Sequence, residues 1–232
     1  MIDFHSHVLP GMDDGSRSVE ESLALLRMSA DQGVGCVAAT PHFYAEENSP
    51  EEFLTRRAAA EEKLRTAWQP GLPVLKLGAE VCFFEGISRC EGLDGLKLEG
   101  TELLLLEMPF ARWGPRVLQE VRELQARSDM TVVLAHIERY LRWQDGAAWE
   151  LLLDLGVLNQ CNASFILRWQ TRRRALHMLR EGKIHLLGSD CHSIDARPPR
   201  LGEAFAVLGV RERELLEENS RTLLPEWGEM EA

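Results

Sequence analysis

The chain of 232 residues is 45% hydrophobic and 27% charged, enough apolar material for one α/β domain with a sizeable core and a solvated surface. Its formal charge of −11 argues against nonspecific nucleic-acid binding, which relies on Lys and Arg neutralising phosphates. No apolar run reaches the ~18 residues of a membrane span and no signal segment is visible. Five scattered cysteines without a C-x-x-C fit free thiols in a reducing cytoplasm, not a disulfide framework.

Short apolar runs alternate with amphipathic stretches. The first run ends at His5-Ser6-His7, and a helix follows the capping-box pattern Ser18-Val19-Glu20-Glu21. The second run, 35–40, stops at Pro41-His42. Another helix opens at Ser49-Pro50-Glu51-Glu52, with proline at its first position and glutamate at its third. The third run, 74–81, contains Glu80, and the fourth, 103–106, ends at Glu107. A helix over about 117–127 precedes the fifth run, 131–135, which stops at His136. The sixth, 157–161, ends at Asn162, and the seventh, 184–189, at Asp190. Helical stretches at about 201–208 and 211–218 follow, with a short tail expected at about 222–232.

Seven β-α units in succession imply a parallel sheet, open or closed. His7, His42, Glu80, Glu107, His136 and Asp190 all fall at or just after the C-terminal end of a run. A barrel gathers its site from many strand ends at one rim, whereas an open sheet concentrates it at one switch point. The pattern predicts a distorted TIM-like (β/α)7 barrel, one domain over 1–232.

The ligand-type residues are His5, His7, Asp14, His42, Glu80, Glu107, His136, Asp190 and His192. Period-two alternation puts His5 and His7 on one face, and does the same for Asp190 and His192 if the chain stays extended. Mixed imidazole and carboxylate donors suit manganese, iron or zinc better than calcium. Nine donors exceed the needs of one ion, so two or three ions are expected, an arrangement suited to phosphate ester hydrolysis. His177, in a helical stretch among arginines, and His185, at the start of a strand, fall outside this set.

In order and spacing, His5-Ser6-His7, Met12-Asp13-Asp14-Gly15, Ala39-Thr40-Pro41-His42, Gly78-Ala79-Glu80, Leu106-Glu107, His136-Ile137-Glu138-Arg139-Tyr140 and Gly188-Ser189-Asp190-Cys191-His192 resemble the PHP (polymerase and histidinol phosphatase) superfamily. The His136-to-Tyr140 run and Arg197-Pro198-Pro199 are similar to its bacterial protein-tyrosine phosphatases of capsular and exopolysaccharide synthesis. The resemblance covers residues 1 to about 220 and implies the PHP fold. It implies one ion on His5, His7, Glu80 and Asp190; a second on Glu80, Glu107 and His136; and a third on Asp14, His42 and His192. It implies Arg139 and Arg197 as phosphate holders, a metal-bound hydroxide as nucleophile, and manganese as the usual ion with iron and zinc as alternatives. The implied substrate is phosphotyrosine on a protein, a bacterial tyrosine kinase regulating polysaccharide synthesis. Phe43 departs from relatives that carry a basic or His residue there.

Three rivals are weighed. A small-molecule phosphatase of the histidinol-phosphatase type shares the chemistry. Cys191 to Arg197 fits C-x5-R, the pattern of cysteine-dependent tyrosine phosphatases, but contains no glycine and follows Asp190, whose charge would raise a thiol pKa. A non-catalytic scaffold would be expected to lose ligands, and this set is complete. Arg168, Arg172, Arg173 and Arg174 fit a solvated helix face better than a phosphopeptide dock, and Trp143 and Trp149 fit packing better than a peptide groove.

Overall fold

The computed structural model describes residues 1–224 and 227. Among the described residues nine strands, all paired in parallel, run as β1 Ile2–Ser6, β2 Cys36–Ala39, β3 His42–Phe43, β4 Val74–Leu77, β5 Glu80–Cys82, β6 Leu103–Glu107, β7 Thr131–Leu134, β8 Leu158–Asn162 and β9 Leu186–Gly188. They make seven barrel positions, because β2 continues as β3 and β4 as β5. Thr40-Pro41 interrupts the first pair, where proline has no N–H for the ladder. Gly78-Ala79 interrupts the second. Hydrogen bonds from Gly78 N to Ala39 O (2.9 Å) and from Glu80 N to Pro41 O (3.1 Å) carry the pairing across both breaks.

The ring closes between the first and last strands. Ser6 bridges Cys191 in parallel, Asp190 N donates to His5 O (2.8 Å), and His7 N donates to Cys191 O (2.9 Å). The expected seven-unit barrel is the fold observed.

The helices are α1 Val19–Asp31, α2 Pro50–Thr66, α3 Pro115–Gln125, α4 Gly146–Asp154, α5 Ala163–Leu167, α6 Trp169–Arg180, α7 Leu201–Val207 and α8 Val210–Leu223. Ser49 and Glu52 form the full reciprocal capping box of α2. At α1 the box is only half made: Ser18 caps Glu21 N, but Glu21 reaches back to Arg17 N (3.0 Å). None of these helices is long and apolar enough to cross a membrane.

Side-chain alternation divides the apolar residues into two layers. Val37, Leu104, Leu106, Val132 and Leu134 pack outward against the helices. Phe4, Ala38, Leu103, Leu105, Val133 and Leu186 fill the lumen. Trp227 joins the lumen group, its ring stacked on Phe4 with centroids 6.2 Å apart and its Nε1 donating to Glu99 O (3.0 Å). The expected tail at 222–232 is thus corrected where it is described. Thr222 and Leu223 end α8, and Leu224 and Trp227 are buried, because α8 runs on past residue 218 and brings these apolar side chains to the barrel floor. Residues 225, 226 and 228–232 of that segment lie outside the described residues.

Candidate metal centre

All nine ligand-type residues meet at the C-terminal rim. A register shift in β1 between Asp3 and Ser6 makes this possible. In a regular strand Phe4 and His5 would face opposite sides; the irregularity lets both contribute to the lumen, and His7 follows His5 inward. Two glycines make room for these rings. A Cβ on Gly188 would lie 2.5 Å from His5 Cβ, and one on Gly15 would lie 2.4 Å from His7 Cβ.

Glu80 lies at the centre. Its Oε1 is 2.7 Å from His136 Nε2. Its Oε2 lies 3.1 Å from His5 Nε2, 3.3 Å from His7 Nε2 and 3.1 Å from His42 Nδ1. None of these three contacts is aligned as a hydrogen bond. Among the described residues five buried side-chain polar atoms lack a hydrogen-bond partner, and three of them are Glu80 Oε2, His42 Nδ1 and His192 Nε2. Convergent donors aimed at a common point rather than at one another are what a cation site requires. His5 Nε2 and His7 Nε2 are 3.1 Å apart; two donors each ~2.1 Å from a shared ion would be separated by roughly 3.0–3.4 Å. The residues fit a metal cluster.

Among the described residues three groups have ligand atoms within 4.8 Å of one another: His5, His7 and Asp190; His42, Glu80 and Glu107; and His7, Asp14, His42 and His192. His7 and His42 each fall in two of these groups. His136 stands beside the second group, its Nε2 3.2 Å from Glu107 Oε1. Asp14 is the outermost member, with a side chain 69% exposed and Oδ1 3.4 Å from His192 Nε2.

The remote ring nitrogens are tethered. His5 Nδ1 meets Gln160 Oε1 (3.1 Å), and His7 Nδ1 meets Asp13 Oδ2 (2.7 Å). His136 Nδ1 meets Tyr140 Oη (3.3 Å), and His192 Nδ1 donates to Asp190 O (3.0 Å). Fixing one nitrogen orients the other, the usual arrangement behind metal-binding imidazoles. The sequence reading missed Asp13 and Gln160 in this role. Asp13 also accepts from His42 N (2.8 Å) and Gly15 N (2.9 Å), and Gln160 from His136 N (2.7 Å). Asp13 stands inside a motif already quoted; Gln160 shares a strand face with Asn162, which is the only signal that marks it.

Neighbouring rings and guanidinium groups keep the buried carboxylates ionised. Burial by itself would raise the Glu80 and Asp190 carboxyls, but His5 in both cases, with the surrounding rings at Glu80 and with His7 and Arg139 at Asp190, holds both below the usual carboxylate range. Burial opposes charge on His7 and His136 as well. Contacts with Asp13 and Glu80 outweigh it and lift His7 to about 10, and contacts with Glu107 and Glu80 lift His136 to about 9. His192, buried and beside His7, is pushed down to about 4.

Asp190 has a different partner on each oxygen. Oδ1 faces His5 (3.7 Å) and His7 (3.6 Å). Oδ2 receives Arg139 Nη2 (2.5 Å), Arg197 Nη2 (2.6 Å) and Asn162 Nδ2 (2.7 Å). Both arginine side chains remain more than a third exposed, so a solute reaches them. Arg197 arrives there because its carbonyl accepts from His192 N (2.9 Å), which folds 192–197 into a turn. Asp190 (φ 54°) and His136 (φ 32°) are the two described non-glycine residues with left-handed backbone. The same-face relation expected of Asp190 and His192 in an extended chain therefore does not hold; the turn brings them together instead. Strained backbone of this kind clusters at functional sites.

Of the remaining candidates, Arg168 comes near the site. Cys191 is 1% exposed, and burial, with the charge of Asp3, pushes its thiol up to about 12. His177 pairs with Glu181 on the surface, and His185 Nδ1 accepts from Asn159 N (3.0 Å). Arg172 donates to the carbonyls of Ile166 and Leu167, whereas Arg168 lines a cleft of about 710 Å³ that also contains Arg139, Asp190 and Arg197. Trp149 packs on Trp113.

The chain is 30% identical to the tyrosine-protein phosphatase CpsB of Streptococcus agalactiae, over 97% of this chain and 98% of that one. It is 28% identical to the tyrosine-protein phosphatase YwqE of Bacillus subtilis, over 97% and 91%. A crystal structure from work on B. subtilis YwqE and Streptococcus pneumoniae CpsB, described as unique metal-dependent tyrosine phosphatases, matches with a TM-score of 0.80. It covers 97% of this chain and 94% of that one at 24% identity, a likeness of fold. A family model for capsular polysaccharide synthesis, CpsB/CapC, matches residues 1–225, and the chain belongs to the CpsB/CapC family.

Proposed function

We propose that this chain is a metal-dependent phosphomonoesterase that removes phosphate from tyrosine in proteins, working as a single catalytic domain. The observation that carries the reading is the convergence of nine His and carboxylate side chains, three with orphaned buried donor atoms, beneath two reachable arginines. Relatives named tyrosine-protein phosphatases, similar over nearly their whole length, support the substrate class.

His5, His7, Asp14, His42, Glu80, Glu107, His136, Asp190 and His192 would hold two or three ions, manganese by preference, with iron and zinc as alternatives. Bound there, such ions acidify water to a pKa of ~7 and set positive charge against the phosphoryl oxygens. Gln160, Asp13 and Tyr140 keep the rings turned toward the centre. Arg139 and Arg197 exchange Asp190 Oδ2 for the substrate phosphate, whose oxygens match a guanidinium fork. They hold it in line and stabilise charge on its equatorial oxygens. A phenol of pKa ~10 leaves without strong acid assistance. The substrate we propose is a bacterial tyrosine kinase regulating capsule or exopolysaccharide synthesis. A reducing cytoplasm is the proposed setting, supported by five unpaired cysteines.

The test is hydrolysis of a phosphotyrosine peptide against histidinol phosphate, with and without EDTA, then Mn²⁺ add-back. Peptide activity abolished by the chelator and restored by manganese is expected. Preference for histidinol phosphate would move the enzyme to the small-molecule class, and chelator-resistant activity would overturn the metal mechanism.

A further inference from the structure

Phe110 is one of few large apolar side chains left exposed, at 47%, and it stands beside the metal centre. Its ring lies 6.1 Å from that of His136, with planes only 22° apart, and 5.5 Å from that of Tyr140. Trp143 follows at 6.2 Å, with the Arg142 guanidinium 3.8 Å from its ring centre. Phe110, Trp143 and Arg142, with Glu138 and Arg139, line a cleft of about 600 Å³. One wall of that cleft is therefore aromatic, and the other carries an arginine already assigned to phosphate.

The loop that presents Phe110 is fastened on both sides. Met108 N donates to Tyr140 Oη (2.9 Å), and Trp113 Nε1 donates to Pro109 O (3.1 Å). Gln144 accepts from Trp113 N (3.0 Å) and donates to Ala111 O (2.7 Å). Two rim loops are thus tied together around the exposed ring, which holds it in place without covering it. A fixed apolar face kept open to solvent beside a phosphate site has the shape and polarity to cover an aryl group.

Resting on the phosphatase reading above, we propose that Phe110, backed by Trp143, is the specificity element that receives the phenyl ring of the substrate and sorts aryl from alkyl phosphates. With phosphate on Arg139, the ring lies along the Phe110 face, and an alkyl phosphate of a seryl residue gains no such contact.

The experiment compares wild type, Phe110→Ala and Phe110→Tyr in the Mn²⁺-loaded enzyme. Phosphotyrosine and phosphoserine peptides of identical flanking sequence give kcat/KM, and competition by phenylphosphonate and methylphosphonate gives affinity. For Phe110→Ala the aryl-to-alkyl ratio is expected to fall about five- to tenfold in both readouts, with rescue by Phe110→Tyr. An unchanged ratio, or an equal loss on both partners, overturns the assignment. A wild type that hydrolyses neither peptide defeats the phosphatase reading, and the phosphonate ratio still decides Phe110.

Discussion

The two ends of the barrel lumen are lined by the same strands and have opposite characters. On β6, Leu103 and Leu105 face the apolar floor and Glu107 faces the metal centre. On β7, Val133 packs in the lumen, and Ala135 is followed at once by His136. The floor is filled with hydrocarbon and covered by Trp227. The rim holds three orphaned ligand atoms and two strained non-glycine residues. Each orphaned group costs about 1–3 kcal/mol, and each left-handed residue a similar amount. Apolar burial helps to offset those costs, alongside the ion pairs and hydrogen bonds that the rim does make. Stability and function thus share strands but occupy opposite ends, and perturbations of one end should spare the other.

The largest expected effect comes from the floor. Trp227→Ala removes a buried indole and should destabilise by about 3–5 kcal/mol, lowering Tm on the order of 10 °C for a chain of this size. Mn²⁺ affinity and kcat/KM of the folded fraction should stay unchanged. Thermal melts and titrations check this together; a fall in metal affinity at constant fold would show that floor and rim are coupled after all.

What the sequence discloses follows the same division. The strand runs, their stopping points and the nine rim residues are legible because alternation and run length are local properties of the chain. The inward turn of His5 and His7 is not, since the irregularity in β1 lies in its pairing with β2, whose residues stand more than 30 positions further along the chain. Left-handed backbone at His136 and Asp190 is equally hidden, because no glycine marks it. Gln160 acts on a ring supplied by another strand, and Asp13 reaches His7 only because the loop after β1 folds back on itself. Trp227 read as tail because a single aromatic near a terminus has no periodicity to place it. Phe110 is silent in one dimension: only folding brings it beside His136.

A smaller effect should come from the layer behind the rim. Asp13→Asn removes the charge behind His7 and keeps a single acceptor oxygen, which can serve either Gly15 N, now on Oδ1, or His7 Nδ1 and His42 N, now on Oδ2. Loss of such an outer carboxylate typically weakens metal binding 10–100-fold. Mn²⁺ titration of activity should show that shift, with most of kcat recovered at saturating ion. An unchanged midpoint would reduce Asp13 to a loop staple.

The smallest effect is expected at Cys191, where the two environments touch. Its backbone pairs with His7 at the rim, while its side chain lies in the outer apolar layer. Only the backbone bears on the centre, so Cys191→Ala should leave kcat/KM within about twofold and cost about 1 kcal/mol of stability. Iodoacetamide should likewise spare the native enzyme, because a buried thiol held near 12 presents almost no thiolate at neutral pH. A variant that kept its metal but lost activity a hundredfold would return the chemistry to the C-x5-R cysteine, and the rim would then be a structural cluster beside the true nucleophile.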